Sequence, residues 1–289
     1  MHENHPPARV WARGEHELGE GARWVDGRLI FVDILTGRLL EARGPAPAAV
    51  RELLRLDVPL GAVAPVLGRP GHWIAAAGTG IALITPGGHM EWLDRPEDHT
   101  PAHTRMNDGA CDPQGRFWAG SMPYDGTPGA GSLYRTDPDG SVHQVLDGLT
   151  IVNGPAFTAD GRTLYVADSA AGIVHRCALD PDGNITARDR FARIDAGGSP
   201  DGMTVDTEGH LWVAVWGHGT VHRYTPDGTL ATTLRLPTPQ PTSVCLQPDN
   251  GLLLVTTARY GLSGRQGPAG SVLEFQVSAT APAASSYHQ

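Results

Sequence analysis

The chain of 289 residues contains no lysine, because all 22 of its basic residues are arginine. This absence excludes a Schiff-base lysine and the phosphate-binding lysine of a P-loop. The sequence also lacks an apolar run long enough to span a membrane, and its polar start, MHENHPPARV, has no recognisable signal peptide or anchor. We therefore expect a cytoplasmic protein.

Several other functional signals are missing. The net charge is −9 and there is no basic stripe, which argues against a nucleic-acid partner. The three cysteines have no metal-binding spacing and are expected to be reduced thiols. The sequence contains no G-x-S-x-G, HExxH or GxGxxG motif. We expect a monomer that binds a small molecule and neither membrane nor nucleic acid.

What the sequence does contain is a repeat of about 44 residues, a length typical of propeller blades. The second strand of each unit is recognisable six times, as GRLIFVD, GHWIAAA, GRFWAGS, GRTLYVAD, GHLWVAV and GLLLVTT. Asp-Gly turns between short apolar runs indicate hairpins, and each unit has room for four strands. The sequence therefore predicts an all-β fold, a six-bladed β-propeller with four antiparallel strands per blade.

The two ends of the chain complete this prediction. The last unit ends at 275–277 without a fourth strand, whereas a spare strand, about 9–13, precedes the first unit. Pairing the two would remove two exposed edges and close the ring. We expect a single propeller domain over residues 1–278 and a disordered tail over 279–289, which is rich in Ala, Ser and Pro.

Four oxygen-bearing side chains occupy one shared position of the repeat. When the units are aligned on the glycine of the second strand, the residues in this position are Glu20, Asn107, Asn153 and Asp201. Asn and Asp before Gly are also common turn formers, but Glu20 is a poor one, and the remaining two blades have Leu60 and Pro241-Thr242 there. Since equivalent positions of a propeller meet around one axis, the pattern predicts a metal site.

The ligand types narrow the choice of metal. Two carboxylates and one or two amide oxygens favour Ca²⁺, Mg²⁺ or Mn²⁺, with Zn²⁺ or Fe²⁺ possible in an open site. The longest predicted loops, 94–105, 122–130 and 258–269, lie on the face that holds this position. These loops carry four aromatic residues whose roles the sequence leaves open, namely His99, His103, Tyr124 and Tyr260.

Four stretches of the chain resemble the signature motifs of the gluconolactonase / senescence marker protein (regucalcin) family. They are LGEGARW, RMNDGACDPQGRFWAGSM, VNGPAFTADGRTLYVADS and PDGMTVDTEGHLWVAVW, within a resemblance that spans roughly residues 15–277. The resemblance implies a sugar lactonase that binds one divalent metal through Glu20, Asn153 and Asp201. It further implies that Arg105 and Asn107 contact the substrate. The segment after Met122 lacks a glutamate that some members use on substrate.

The implied reaction is metal-assisted hydrolysis of sugar lactones to aldonic acids. The metal polarises the lactone carbonyl, and a water is activated either on the metal or by Asp201 as general base. For Arg105, a salt bridge to Asp108 or Asp125 is the structural alternative to substrate binding. For the whole protein, the alternatives are a phosphotriesterase-like hydrolase of the same propeller type and a non-catalytic Ca²⁺-binding propeller.

Overall fold

Six four-stranded antiparallel sheets form a ring in the computed structural model, which describes residues 7–264 and 267–289. Strand β1 (Arg9–Ala12) precedes the first blade, which contains β2 (Gly19–Val25), β3 (Arg28–Asp33), β4 (Arg38–Arg43) and β5 (Ala49–Arg55). The second blade contains β6 (Leu60–Pro65), β7 (Trp73–Ala77), β8 (Gly80–Ile84) and β9 (Met90–Asp94). The third blade contains β10 (Thr104–Cys111), β11 (Phe117–Pro123), β12 (Gly131–Thr136) and β13 (Val142–Leu149). The fourth blade contains β14 (Val152–Phe157), β15 (Thr163–Asp168), β16 (Ile173–Leu179) and β17 (Ile185–Arg193). The fifth blade contains β18 (Ser199–Val205), β19 (Leu211–Trp216), β20 (Thr220–Tyr224) and β21 (Leu230–Arg235). The sixth blade contains β22 (Pro241–Leu246), β23 (Leu252–Thr257) and β24 (Val272–Gln276). Short 3₁₀ helices span Ile34–Thr36 and Pro96–His99.

The blades confirm the predicted six-bladed propeller. Strands that follow one another within a blade pair as hairpins, with β1 added to the sixth blade from the start of the chain. The strands β2, β6, β10, β14, β18 and β22 are the innermost. The Asp26–Gly27 turn between β2 and β3 has positive φ at both residues, 48° and 74°, as a tight two-residue hairpin requires. Apolar side chains from neighbouring sheets pack together to form the core between blades.

The ring closes through the N-terminal strand, as the sequence predicts. β1 pairs antiparallel with β24 and supplies the fourth strand of the sixth blade. Trp11 of β1 is buried, and its carbonyl oxygen accepts a hydrogen bond of 2.7 Å from the backbone N–H of Ala48 in the first blade. Strand β1 therefore connects the last blade to the first.

The C-terminal segment differs from the expectation of a disordered tail over 279–289. It crosses the end of the ring that carries the short turns, and its backbone bonds to four blades, at Trp24, Pro65, Gly115 and Thr207. Tyr287 is fully buried, and its hydroxyl donates a 2.7 Å hydrogen bond to the carbonyl oxygen of Asp137. Composition suggested disorder because Ala and Ser bury little surface, but one large aromatic residue and a few backbone bonds hold the segment.

A cavity of about 340 Å³ lies under this segment, at the same end of the central channel. Its lining is mainly apolar and includes Cys111, Phe157, Val205, Leu246 and Pro282. None of the predicted metal or substrate residues lines it. Within the part of the chain that the structure describes, no helix is long and apolar enough to cross a membrane.

Candidate active site at the opposite end of the channel

The four oxygen-bearing residues lie inside the innermost strands rather than on the loops that enter them. Glu20, Asn107, Asn153 and Asp201 belong to β2, β10, β14 and β18. In each strand the pairing with the next strand shifts register at or directly after this residue. A β-bulge re-aims the side chain at the register shift, away from the regular alternation of the sheet. Each of the four residues therefore lies at a register shift within the inner strand of its blade.

Glycines make two of these bulges possible. Gly21 and Gly154 follow Glu20 and Asn153 and have φ of 60° and 50°, a conformation that favours glycine. At Gly154 the space is also restricted, because an added Cβ atom would lie 2.7 Å from the carbonyl oxygen of Asp201. Gly154 thus allows the inner strands of the fourth and fifth blades to pack closely, and its positive φ helps to set the direction of the Asn153 side chain.

The carboxyl groups of Glu20 and Asp201 meet in the channel, close enough to share a proton. Both side chains are buried. Burial raises the pKa of Glu20 to about 8, and the charge of Asp108 contributes to the rise. Burial, and then the charge of Glu20, also raises the pKa of Asp201 well above its ordinary value. The structure thus brings two of the three predicted metal ligands into direct contact.

Asp108 is a third buried carboxylate beside this pair, and it was not among the predicted site residues. It accepts hydrogen bonds from the backbone N–H groups of Gly109 and Gly154 and from the Arg23 guanidinium, at 2.8, 3.1 and 3.2 Å. Burial nevertheless raises its pKa, against the lowering effect of Arg23. Asp108 therefore joins the inner strands of three blades and adds negative charge near Glu20.

A chain of hydrogen bonds connects the remaining predicted residues. Arg105 Nη1 donates to Asn107 Oδ1 at 2.7 Å, and Asn107 Nδ2 donates to Asn153 Oδ1 at 2.7 Å. Asn153 Nδ2 then donates to Ser169 Oγ at 3.0 Å, and Ser169 donates to the carbonyl oxygen of Pro200 at 2.6 Å. This series of hydrogen bonds runs from the third blade to Pro200, the residue before Asp201. It holds the side-chain amide groups of Asn107 and Asn153 in fixed orientations.

Arg105 does not form the salt bridge that was its structural alternative. Asp108 pairs with Arg23, and Asp125 accepts from the backbone and hydroxyl of Thr127. Among the described residues, the Arg105 guanidinium bonds instead to Asn107 and to the carbonyl oxygen of Met106. Burial lowers its pKa, whereas Tyr124, Glu20, Asp201 and Tyr260 act in the opposite direction. The guanidinium therefore lies within electrostatic reach of the carboxylate pair.

The donor set fits a divalent cation. Asp201 Oδ1 is buried and has no hydrogen-bond partner among residues 7–264 and 267–289, so that its lone pairs are available to a ligand. Burial, and then the charge of a neighbouring carboxyl group, raises the pKa of both Glu20 and Asp201, and a bound cation would favour their ionised forms. Carboxylate and amide oxygens together suit a hard cation such as Ca²⁺, Mg²⁺ or Mn²⁺.

A second acidic group lies on the turn between β18 and β19, at the other end of the fifth blade. Its members are Asp206, Glu208 and His210, whose potential ligand atoms lie within 4.8 Å of one another. Asp206 already accepts from Trp212 Nε1 at 2.9 Å and from the Arg223 guanidinium at 2.7 Å. Because an arginine already compensates its charge, this group fits a metal less well than the carboxylates in the channel.

The loop residues whose roles were open lie in different environments. His103 and Tyr124 stack with their ring centroids 4.6 Å apart, and Tyr124 lies beside Arg105. Tyr260 is exposed on the loop after β23. His99 is exposed at the end of the second 3₁₀ helix and is not among the residues that bond to the site. The structure thus groups His103 and Tyr124 with the predicted substrate residues and separates His99 from them.

Sequence reasoning missed Arg23, Asp108 and Ser169. Arg23 and Asp108 stand inside the signature stretches LGEGARW and RMNDG, so their position beside predicted ligands was a usable signal. Ser169 follows the second strand of the fourth blade and is 16 residues from Asn153. Only the hairpin between β14 and β15 brings these two side chains together.

The raised pKa of Glu20 predicts a pH-dependent stability for the metal-free protein. The unfolded chain ionises Glu20 near its ordinary pKa of 4.5, whereas the folded protein retains the proton up to about pH 8. Protonated Glu20 thus stabilises the folded protein fully below its ordinary pKa of 4.5, and this stabilisation is lost as the pH rises to about 8. After chelation, we expect Tm to fall over this range, and Glu20→Gln should reduce the fall. An equal fall in both proteins, measured by circular dichroism, would contradict this assignment.

Comparisons with known proteins show which family the chain belongs to. The family model described as SMP-30/Gluconolactonase/LRE-like region matches residues 18–259. The chain is 37% identical over 280 residues to the pentonolactonase XacC of Haloferax volcanii, covering 91% of this chain and 92% of that protein. It is 33% identical over 276 residues to the L-arabinolactonase of Azospirillum brasilense, covering 91% and 89%.

A solved structure shares the whole architecture. The calcium-binding protein regucalcin of Agrobacterium tumefaciens superposes with a TM-score of 0.89 at 27% identity, covering 99% of this chain and 98% of that one. The resemblance inferred from the four signature stretches is thereby confirmed. The chain belongs to the SMP-30/gluconolactonase/LRE-like family.

Proposed function

We propose that the protein is a divalent-metal-dependent hydrolase that opens sugar lactones to aldonic acids. The observation that carries the proposal is the meeting of Glu20 and Asp201 in the channel, with Asn153, Asn107 and Arg105 hydrogen-bonded in a chain beside them. Relatives described as a pentonolactonase and an L-arabinolactonase act on molecules of this class. The metal ligands in this proposal are Glu20, Asn153 and Asp201.

The chemistry of the site follows from its charges. A bound divalent cation supplies Lewis-acid polarisation of the lactone carbonyl. Asp201 accepts a proton from the attacking water, and a neighbouring positive charge favours the ionised form that this role requires. The water oxygen forms a bond to the carbonyl carbon, the ester C–O bond breaks, and the ring oxygen takes the proton back from Asp201. The product is an open-chain hydroxy acid.

Arg105 and Asn107 are placed to orient the substrate. Arg105 uses Nη1 for Asn107 and Met106, which leaves further N–H groups for ring hydroxyls or the carbonyl oxygen. As a permanent cation it cannot bind the metal, but it can stabilise negative charge that develops on the substrate. Asn107 lies between Arg105 and Asn153, and so connects substrate binding to the metal ligands.

An activity assay tests the proposal directly. A pH indicator reports acid release from a panel of pentono- and hexonolactones, using metal-stripped protein reloaded with each divalent ion in turn. We expect hydrolysis of at least one lactone, its loss on chelation and its recovery with Ca²⁺, Mg²⁺, Mn²⁺, Zn²⁺ or Fe²⁺. Hydrolysis of a phosphotriester but of no lactone would favour the phosphotriesterase-like alternative. Metal binding without any hydrolysis would favour a non-catalytic calcium-binding propeller.

Replacing Arg105 by alanine should separate substrate binding from metal binding. We expect kcat/KM for a sugar lactone to fall about 10–10³-fold, or about 1.4–4 kcal/mol of transition-state binding. Metal affinity measured by calorimetry should remain within a few-fold of wild type, because Asn107 is still held by its bonds to Asn153 and to the carbonyl oxygen of Val152. Loss of metal with an unchanged KM would instead make Arg105 an organiser of the ligand residues.

A further inference from the structure

Two tyrosines are exposed on the face of the ring that holds the candidate active site. Tyr124 follows β11 in the third blade and is 47% exposed, and Tyr260 follows β23 in the sixth blade and is 53% exposed. The third and sixth blades lie opposite one another in a ring of six. The two rings therefore stand on opposite sides of the channel mouth.

Tyr124 is held in a fixed position despite its exposure. Its ring stacks on that of His103 with a centroid distance of 4.6 Å and an interplanar angle of 29°. Its backbone N–H donates a 2.9 Å hydrogen bond to the carbonyl oxygen of His103. The Arg105 guanidinium carbon lies 6.0 Å from the ring centroid, at the limit of a cation–π contact. The ring thus lies against His103 and near Arg105, and about half of the residue's surface stays exposed.

Tyr260 is fixed through its backbone. The buried side chain of Gln240, which precedes the inner strand of the sixth blade, donates a 2.9 Å hydrogen bond from Nε2 to the carbonyl oxygen of Tyr260. The Tyr260 hydroxyl also lies within electrostatic reach of Arg105. Both tyrosines therefore lie near enough to Arg105 to influence its pKa.

Exposed aromatic rings at the mouth of a site are typical of binding surfaces, because an apolar face gains free energy only when a ligand covers it. We propose that Tyr124 is the platform on which the C–H face of a sugar-lactone ring stacks, and that Tyr260 bounds the opposite side of the entrance. The two residues determine specificity for cyclic substrates, and this assignment rests on the proposed lactonase function.

Stacking on Tyr124 distinguishes the substrate of the proposed reaction from its product. A lactone ring presents a compact face of C–H groups, whereas the open-chain aldonate formed by hydrolysis has no such face. Stacking on Tyr124 therefore favours the substrate over the product. The platform binds the cyclic substrate and contributes little to retention of the acid, which assists product release.

The experiment compares Tyr124→Ala, Tyr124→Phe and wild type, each loaded with a divalent cation. Two quantities are measured: KM for a pentonolactone, and Kd by calorimetry for the corresponding sugar lactam, whose ring contains an amide in place of the ester bond. Tyr124→Ala should raise both about 10-fold, while Tyr124→Phe, which keeps the ring, should stay within about 2-fold. Leu67→Ala, which removes an exposed side chain on the opposite face, serves as the matched control.

The outcomes separate this inference from the proposed function. Equal lactam affinity in Tyr124→Ala and wild type would overturn the platform, and so would a loss in Tyr124→Phe as large as that in Tyr124→Ala. Binding of the aldonate should be unchanged in Tyr124→Ala; a parallel loss for the open-chain acid would show that the ring face is not what Tyr124 recognises. If wild type binds the lactam but hydrolyses no lactone, only the proposed function fails. If it does neither, both fail.

Discussion

Asparagine in place of Asp201 should lower lactone hydrolysis by at least about 10²-fold while the propeller stays folded. The substitution keeps the shape of the side chain but removes the carboxylate that we propose as metal ligand and general base. Glu20→Gln should reduce activity through the metal in the same way. Both variants should weaken binding of Ca²⁺ or Mn²⁺ in calorimetry.

The same variants should stabilise the metal-free protein. Glu20 and Asp201 are buried next to one another, and the raised pKa of each reflects the cost of ionising them there. An amide removes one of these charges, so Tm after chelation should rise near pH 8 even as activity is lost. Loss of activity through misfolding would lower Tm instead, which makes the two causes distinguishable.

Glu208→Gln is the matched control for these substitutions. Glu208 is exposed and belongs to the acidic group at the other end of the fifth blade. If the metal binds in the channel, Glu208→Gln should leave metal affinity and hydrolysis unchanged. Full activity in Asp201→Asn and Glu20→Gln, together with metal loss in Glu208→Gln, would move the metal site to that turn and refute the proposal.

Deleting residues 1–14 should destabilise the entire ring. The deletion removes β1, the fourth strand of the sixth blade, and exposes the edge of β24. It also removes the fully buried side chain of Trp11. Loss of a buried tryptophan alone typically costs about 3–5 kcal/mol, a large part of the stability of a single domain. We expect a marked fall in Tm by circular dichroism, or failure to fold.

Two point variants keep this prediction testable if the shortened chain does not fold. Trp11→Ala retains the strand but leaves a cavity, and it should lower Tm substantially. Arg9→Ala, at an exposed position of the same strand, should change the free energy of unfolding by less than about 0.5 kcal/mol. A truncated protein that melts like the full-length chain would show that ring closure by β1 contributes nothing to stability.

The architecture was readable from the sequence because it depends on local, repeated signals. Each blade repeats its turn residues and its apolar strand, so the blade count could be read from aligned segments such as GRFWAGS and GHLWVAV. The missing strand of the last unit and the spare strand at the start predicted the closure by β1, since unpaired strand edges are unfavourable. The same alignment placed Glu20, Asn107, Asn153 and Asp201 around one axis.

Signals that depend on single contacts were not readable in this way. The segment 279–289 has a composition typical of disorder, but the burial of Tyr287 and its bond to Asp137 hold it against the ring. Asp112 and Asp206 look like further acidic candidates, yet each accepts hydrogen bonds from a tryptophan and an arginine in a repeated turn. Their role depends on tryptophan and arginine partners that could not be assigned from the sequence.

The sequence by itself determined the propeller, its closure and the family to which the site belongs, because repetition makes equivalent positions recognisable without knowledge of contacts. Only the tertiary structure decided how the site is built. Three features depend on contacts between different strands or loops. They are the register shifts at Glu20 and Asp201, the hydrogen bond of Asn153 to Ser169, and the stacking of Tyr124 on His103. Burial and neighbouring charge set the ionisation of the carboxylates, and both exist only once the inner strands have met around the axis.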